Sequence, residues 1–148
     1  MLNEQISENF KLSELVVTNT GLDNIPSDPK IIAALRNLVL NGLQPLRDII
    51  GLPIIVNSGY RSDMVNFAVG GAETSQHKRG EAADIKVKGM EPIDLARVII
   101  SNGLPYDQLI VEQSGSAKWL HWSIKLDGVD RRQTLNYLNG VYTKTYLS

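Results

Sequence analysis

The sequence predicts an α+β domain built on a mainly antiparallel sheet, and three observations carry that expectation. Apolar residues recur with a helical period from Pro29 towards Gly51. Several short runs rich in β-branched and aromatic residues are bounded by turn residues, and Asn139-Gly140 lies between two of them as the signal of a two-residue hairpin. No repeat and no linker interrupts the chain, so one domain over residues 1–148 is expected.

The elements follow in order. Phe10-Lys11-Leu12-Ser13-Glu14-Leu15 is expected as a short helix or a packed arm, and 18–28 as a loop. From Pro29 a long helix is expected, with Ser27 or Asp28 as its cap and Ile31, Leu35, Leu38, Gly42, Leu46 and Ile49 on one face. Pro45 lacks a backbone donor and should kink or divide this helix near Asn41 to Gln44, and Gly51 should stop it. Pro53-Ile54-Ile55-Val56-Asn57 reads as a central strand leading into Ser58-Gly59-Tyr60-Arg61. Ser62 or Asp63 can cap a short helix that Gly70-Gly71 ends. Ala82 to Val87 is the next strand, and Glu91 to Ile100 an amphipathic helix stopped by Asn102-Gly103. Tyr106 to Glu112 and Trp119 to Leu126 are strands joined through Ser114-Gly115-Ser116, and 134–138 pairs with 141–146 across Asn139-Gly140.

Composition narrows the function. With 43% apolar and 21% charged residues, the 148-residue chain has the make-up of a folded globular domain able to bury a core without staples. A net charge of −1 with no clustered basic excess argues against a nucleic-acid partner. The absence of cysteine excludes disulfides, thiolate nucleophiles and cysteine-ligated zinc. The first residues have neither a basic start nor an apolar stretch, and no run approaches membrane-spanning length. The expectation is a protein made in the cytoplasm without a signal peptide, not inserted in a membrane, and monomeric.

The two histidines of the chain mark the candidate chemistry. His77 and Asp84 are too far apart for adjacent turns of one helix, and Gly80 between them allows the chain to reverse and bring both to one metal. His121 lies in the strand Trp119 to Leu126, where alternation puts it on one face with Trp119 and Ser123, opposite apolar Leu120, Trp122 and Ile124. His, Asp and His are three ligands of the kind a catalytic zinc uses while leaving a fourth position to water. A lone strand histidine is more often structural, so it is the combination that speaks. Glu112 shares the His121 face only if it pairs with Trp119; a one-residue slip would remove it as a base. Arg61 is either a surface charge neutralised by Asp63 or a fork for a substrate carboxylate or oxyanion, with Tyr60 packed beside it. Lys78, Arg79 and Glu81 read as exposed loop charges, and the tyrosines of the tail as strand packing.

Ser75-x-His77-x-x-Gly80-x-Ala82-x-Asp84, preceded by Ser58-Gly59-Tyr60-Arg61 and followed by Trp119-x-His121-x-Ser123, resembles the zinc D-Ala-D-Ala carboxypeptidase family. That family includes L-alanyl-D-glutamate endolysins and vancomycin-resistance dipeptidases and shares the hedgehog-type fold. The likeness extends through Phe10-x-Leu12-Ser13-Glu14, Leu43-Gln44-Pro45-Leu46-Arg47 and Asn66-x-Ala68-Val69-Gly70-Gly71. It implies a zinc metallopeptidase acting on peptidoglycan stem peptides, with His77, Asp84 and His121 as zinc ligands. It further implies Arg61 on the substrate carbonyl or carboxylate, and Ser75 beside the site or on the substrate, with Tyr60 as a further substrate contact. A phage or prophage lysis protein released to the cell wall fits the resemblance, as does a cytoplasmic recycling enzyme. The chain departs from better-known branches at Lys118, which occupies the usual position of the acidic base three residues before the last histidine. Either Glu112 serves as the base, or the fold is used as a non-catalytic, zinc-stabilised binding module.

Overall fold

The computed structural model describes residues 2–145. Strands β1 (Gln5–Ser7) and β2 (Phe10–Lys11) form a two-stranded ribbon that runs into a 3-10 helix at Leu12–Val16. Phe10, Leu12 and Leu15 are buried, so the segment is an arm sealed onto the core. Tyr60 N donates to Leu15 O at 2.8 Å. A Cβ on the adjoining Gly59 would fall 2.3 Å from that oxygen, so this approach requires glycine.

Asp28 caps helix α1 (Pro29–Leu38) by accepting a hydrogen bond from Lys30 N at 2.9 Å. The expected kink is a π-helical turn at Val39–Leu43, followed by α2 (Gln44–Ile50). Pro45 has no N–H to offer the preceding turn, and the chain widens so that Gln44 N donates to Val39 O. Leu35, Leu38, Leu43 and Leu46 are fully buried. Ile49 departs from the expected stripe: the wide turn shifts the helical phase, Ile50 packs against the core and Ile49 is 45% exposed. Gly51, at φ 67°, ends the helix in the left-handed conformation.

Strand β3 (Ile55–Ser58), helix α3 (Asp63–Ala68), a 3-10 helix at Gln76–Arg79, β4 (Ala82–Lys86) and α4 (Pro92–Ser101) follow. Then come β5 (Gln108–Ser114), β6 (Ala117–Ser123), β7 (Gln133–Leu138) and β8 (Val141–Lys144). The expected end of the last strand, Tyr146, lies outside the described residues. The sheet order is β3-β4-β6-β5-β7-β8, and every pairing is antiparallel except β5 with β7. β3 is thus an edge strand, not the expected central one; among the described strands it pairs with β4 alone, and Ile55 is 55% exposed. In the β5–β6 hairpin Ser114 pairs with Ala117, so the turn is tighter than expected.

The two sheet faces differ. Leu120, Trp122 and Ile124 are buried beneath the helices. Gly42 of the π-helical turn rests on this face so closely that a Cβ there would lie 2.8 Å from Ile124 Cδ1 and 3.1 Å from the Trp122 ring. Trp122 satisfies its indole N–H on Pro105 O at 3.0 Å. His121 points the other way.

Candidate metal centre

The centre is assembled by sheet register. Asp84 and His121 are direct partners across the antiparallel β4–β6 pair, and such partners share a face. Their separation in sequence is closed by the sheet alone. His77 arrives from the 3-10 helix. Ser75 Oγ accepts from His77 N at 3.2 Å, Arg61 N donates to His77 O at 3.0 Å, and Gly80 ends the turn at φ 72°. A Cβ on Gly80 would also meet Ile31 O at 2.8 Å, so glycine is needed there for conformation and for space.

The donor atoms of His77, Asp84 and His121 lie within 4.8 Å of one another, and all three residues are buried. His77 Nε2 is 3.3 Å and His121 Nδ1 3.2 Å from Asp84 Oδ1. Tetrahedral zinc with bonds of about 2.0–2.1 Å places its ligand atoms roughly 3.3–3.5 Å apart, so the spacing suits that ion. The hydrogen bonding points the same way. His77 Nδ1 is 2.8 Å from Gly59 O, and a carbonyl oxygen can only accept, so Nδ1 carries the hydrogen. In its neutral form the ring then turns the lone pair of Nε2 towards a carboxylate oxygen. Two electron-rich atoms facing each other in a buried place call for a cation between them, and fixing the tautomer through the distal nitrogen is how proteins orient such a ligand.

Arg61 holds the other side of this carboxylate. Its Nη2 donates to Asp84 Oδ2 at 3.3 Å, its Nε to Ser58 Oγ at 3.0 Å, and its Nη1 lies 3.5 Å from Asn66 Oδ1. Asp63, the neutralising partner weighed from sequence, instead pairs with Lys78 at 3.0 Å. Gly71 keeps the corner open, since a Cβ would sit 2.0 Å from Asn66 Oδ1 and 3.0 Å from Arg61 Nη1. Burial would raise the Asp84 carboxyl. The charge of a protonated His77 and the hydrogen bond from His121 outweigh it, and the group is held well below the usual carboxylate range.

Glu112 pairs with Trp119 in the β5–β6 ladder, so no slip removes it from the His121 face. Its Oε2 accepts from Trp119 Nε1 at 2.9 Å. Burial and then the negative charge of Asp84 push its carboxyl up to about 7, against the opposing pull of His121, Trp119 and Arg61. A cavity of about 760 Å³ has Arg61, Ser75, His77, Asp84, Glu112 and His121 in its lining. Tyr60 is absent from that lining: its ring is packed in the hydrophobic core. Lys118 is not in it either. Strand alternation turns its side chain to the opposite face, where it reaches Glu91 at 3.8 Å.

Other expectations change as well. Glu81 is buried, not exposed: Oε1 accepts from Arg79 Nε and Oε2 from Leu126 N, both at 2.9 Å. Tyr137 and Tyr142 are more than strand packing, because both line the cavity and their rings contact each other at 4.7 Å. The Asn139-Gly140 turn sets Tyr137 opposite Tyr142, a shared face that the hairpin register could have revealed. The buried Asp107 and its partner Arg131 carried no comparable signal, since they meet only through the fold.

A search of the curated proteins finds no match. The family model described as Peptidase M15 matches residues 8–122, more than half of the chain, and includes every one of the residues gathered around Asp84.

Proposed function

The chain belongs to the peptidase M15 family, whose members are zinc-dependent peptidases, and from that premise we propose that it cleaves peptidoglycan stem peptides. The observation that carries the proposal is the His77 lone pair set against Asp84 in the cavity that also presents Glu112. Zinc held by His77 Nε2, an Asp84 oxygen and His121 Nδ1 would supply a Lewis acid for the scissile carbonyl and acidify a water molecule.

The protein groups do the rest. Glu112 takes a proton from the attacking water at its carboxylate and returns it to the leaving amine, a role that suits a carboxyl poised near neutrality. Trp119 keeps this carboxylate directed by donating to Oε2. Of the five N–H groups of a guanidinium, Arg61 spends three on Ser58, Asn66 and Asp84, which leaves two for the substrate carbonyl or carboxylate. Ser75, at the cavity wall, contacts the bound peptide. Glu112 on the His121 face, with Lys118 on the other, supports the peptidase reading over the binding-module alternative.

The test is mass spectrometry of fragments released from purified peptidoglycan by the zinc-loaded protein, with a chelated sample beside it. A zinc-dependent fragment is expected, and its mass separates removal of a terminal D-alanine from an internal cut. Intact peptidoglycan after incubation with folded, zinc-loaded protein would overturn the proposal.

A further inference from the structure

We propose that Lys125 and Arg131 form a second anion-recognition subsite that takes a free carboxylate of the peptide substrate, separate from the oxygen held by Arg61. The proposal rests on the peptidase function above. It concerns residues beyond 122, outside the stretch matched by the family model.

The charged lining of the cavity is divided. Asp84 and Glu112 stand at the metal end with Arg61, whereas Arg79, Lys125 and Arg131 also line the cavity but have no acidic side chain beside them in its wall. The acids that offset these three cations lie behind them. Asp107 is fully buried and is bound by Arg131 Nη2 at 2.7 Å and Nε at 3.1 Å, while Lys125 Nζ stands 3.9 Å from it. Glu81 is buried against Arg79, and Asp130 accepts from the backbone N of Lys125 at 2.9 Å. None of these three carboxylates belongs to the lining, so the cations face the cavity and their counter-charges do not.

Arg131 and Lys125 are also prepared for a ligand. The Asp107 carboxylate holds the Arg131 guanidinium in place through Nε and Nη2 and leaves Nη1 without a hydrogen bond among the described residues. A guanidinium fixed in this way gives up little freedom when an oxyanion joins it. Lys125 adds three donors on a side chain 32% exposed. A free carboxylate is the group such a pair recognises; an amide in its place loses the charge-assisted bonds.

The position gives a ruler. His121 and Lys125 lie four residues apart in one segment, about 14 Å when extended. A bound peptide covers that distance with about four residues, fewer if the lysine side chain leans back. The subsite therefore selects acidic peptides by a carboxylate a few residues from the scissile bond.

Two synthetic stem-type pentapeptides test this. Both keep a free C-terminus; one carries an internal glutamate with its carboxylate free, the other has that carboxylate amidated. Calorimetry on chelated protein measures binding without turnover. Wild type is expected to prefer the acid about 10-fold, a difference of about 1.4 kcal/mol. Lys125→Met should shrink the preference to about 2–3-fold and Lys125→Glu should invert it, while Arg131 is left in place to keep Asp107 paired. Equal affinity of wild type for the two peptides, no binding of either, or a preference that survives both substitutions overturns the subsite. Cleavage of both peptides by the zinc-loaded protein would then leave the peptidase function standing. A preference that follows Lys125 with no cleavage of either peptide would retain the subsite and reject the stem-peptide activity.

Discussion

Asp84 and Asp107 are both buried aspartates at the same sheet, yet their surroundings differ in kind. Asp107 is closed off by donors. Arg131 gives it a fork and a backbone N–H at 2.7 Å, and Gln76 Nε2 adds a bond at 3.0 Å. Among the described residues Asp84 meets one unambiguous donor, Arg61, while two imidazole nitrogens stand off at 3.2 and 3.3 Å, and one of them, in its neutral form, turns a lone pair to it. Burial works against both charges; Arg131 answers it for Asp107, and the two histidines answer it for Asp84. A carboxylate that completes a structure has its partners built in. One that serves a metal is left incomplete.

The largest effect should come from breaking the incomplete site. His77→Ala is expected to remove zinc and lower peptidase activity by more than 10³-fold, with a cooperative unfolding transition preserved; metal analysis and denaturation of the same sample check both halves. Next, Glu112→Gln should cost about 10²–10⁴-fold in kcat while stoichiometric zinc is retained. An unchanged rate would assign the proton transfer to another group.

Asp107→Asn should invert the pattern. Zinc stays bound, but the Arg131 charge loses its buried partner and stability falls by about 3 kcal/mol in a denaturant titration. Because the Asp107 carboxyl lies below its ordinary value, its contribution is present near neutrality and is lost as pH falls through the folded value.

Glu112 carries the opposite sign. Its carboxyl is raised to about 7, so the folded metal-free protein keeps a proton that the unfolded chain releases. Stability of the chelated protein should therefore fall as pH rises from about 4.5 to about 7, by at most on the order of 3 kcal/mol. Glu112→Gln should flatten that slope, and bound zinc, as a dication, should move it to lower pH. Thermal unfolding across pH, with and without chelator, measures it. The smallest effect is expected of Trp119→Phe, which removes the N–H on Glu112 Oε2. Turnover should drop a few-fold and its pH midpoint should rise, because the lost bond favoured the ionised form.

Much of the fold was legible in local chemistry. Asp28 and Ser62 cap the helices expected of them, Pro45 disrupts its helix where a donor is missing, and Asn139-Gly140 joins two paired strands. Errors arose where distant neighbours decide. A run such as Ile54-Ile55-Val56 shows strand propensity but not the number of strands beside it, so β3 was expected in the centre and lies at the edge. Glu81 looked exposed among loop charges because the backbone N–H of Leu126, which buries it, is remote in sequence.

The sequence by itself determined the candidate donor set: two histidines, an aspartate near the start of a strand and a glycine that lets the chain turn back, with no cysteine to compete. Side-chain type and local spacing are enough for that. Tertiary structure decided the arrangement of these groups. The ladder register seats Asp84 opposite His121 and Glu112 opposite Trp119, sends Lys118 to the far face, sinks Tyr60 into the core and brings Lys125 and Arg131 into the cavity. Register and burial result from many weak contacts summed over the whole sheet, and no short stretch of chain contains that sum.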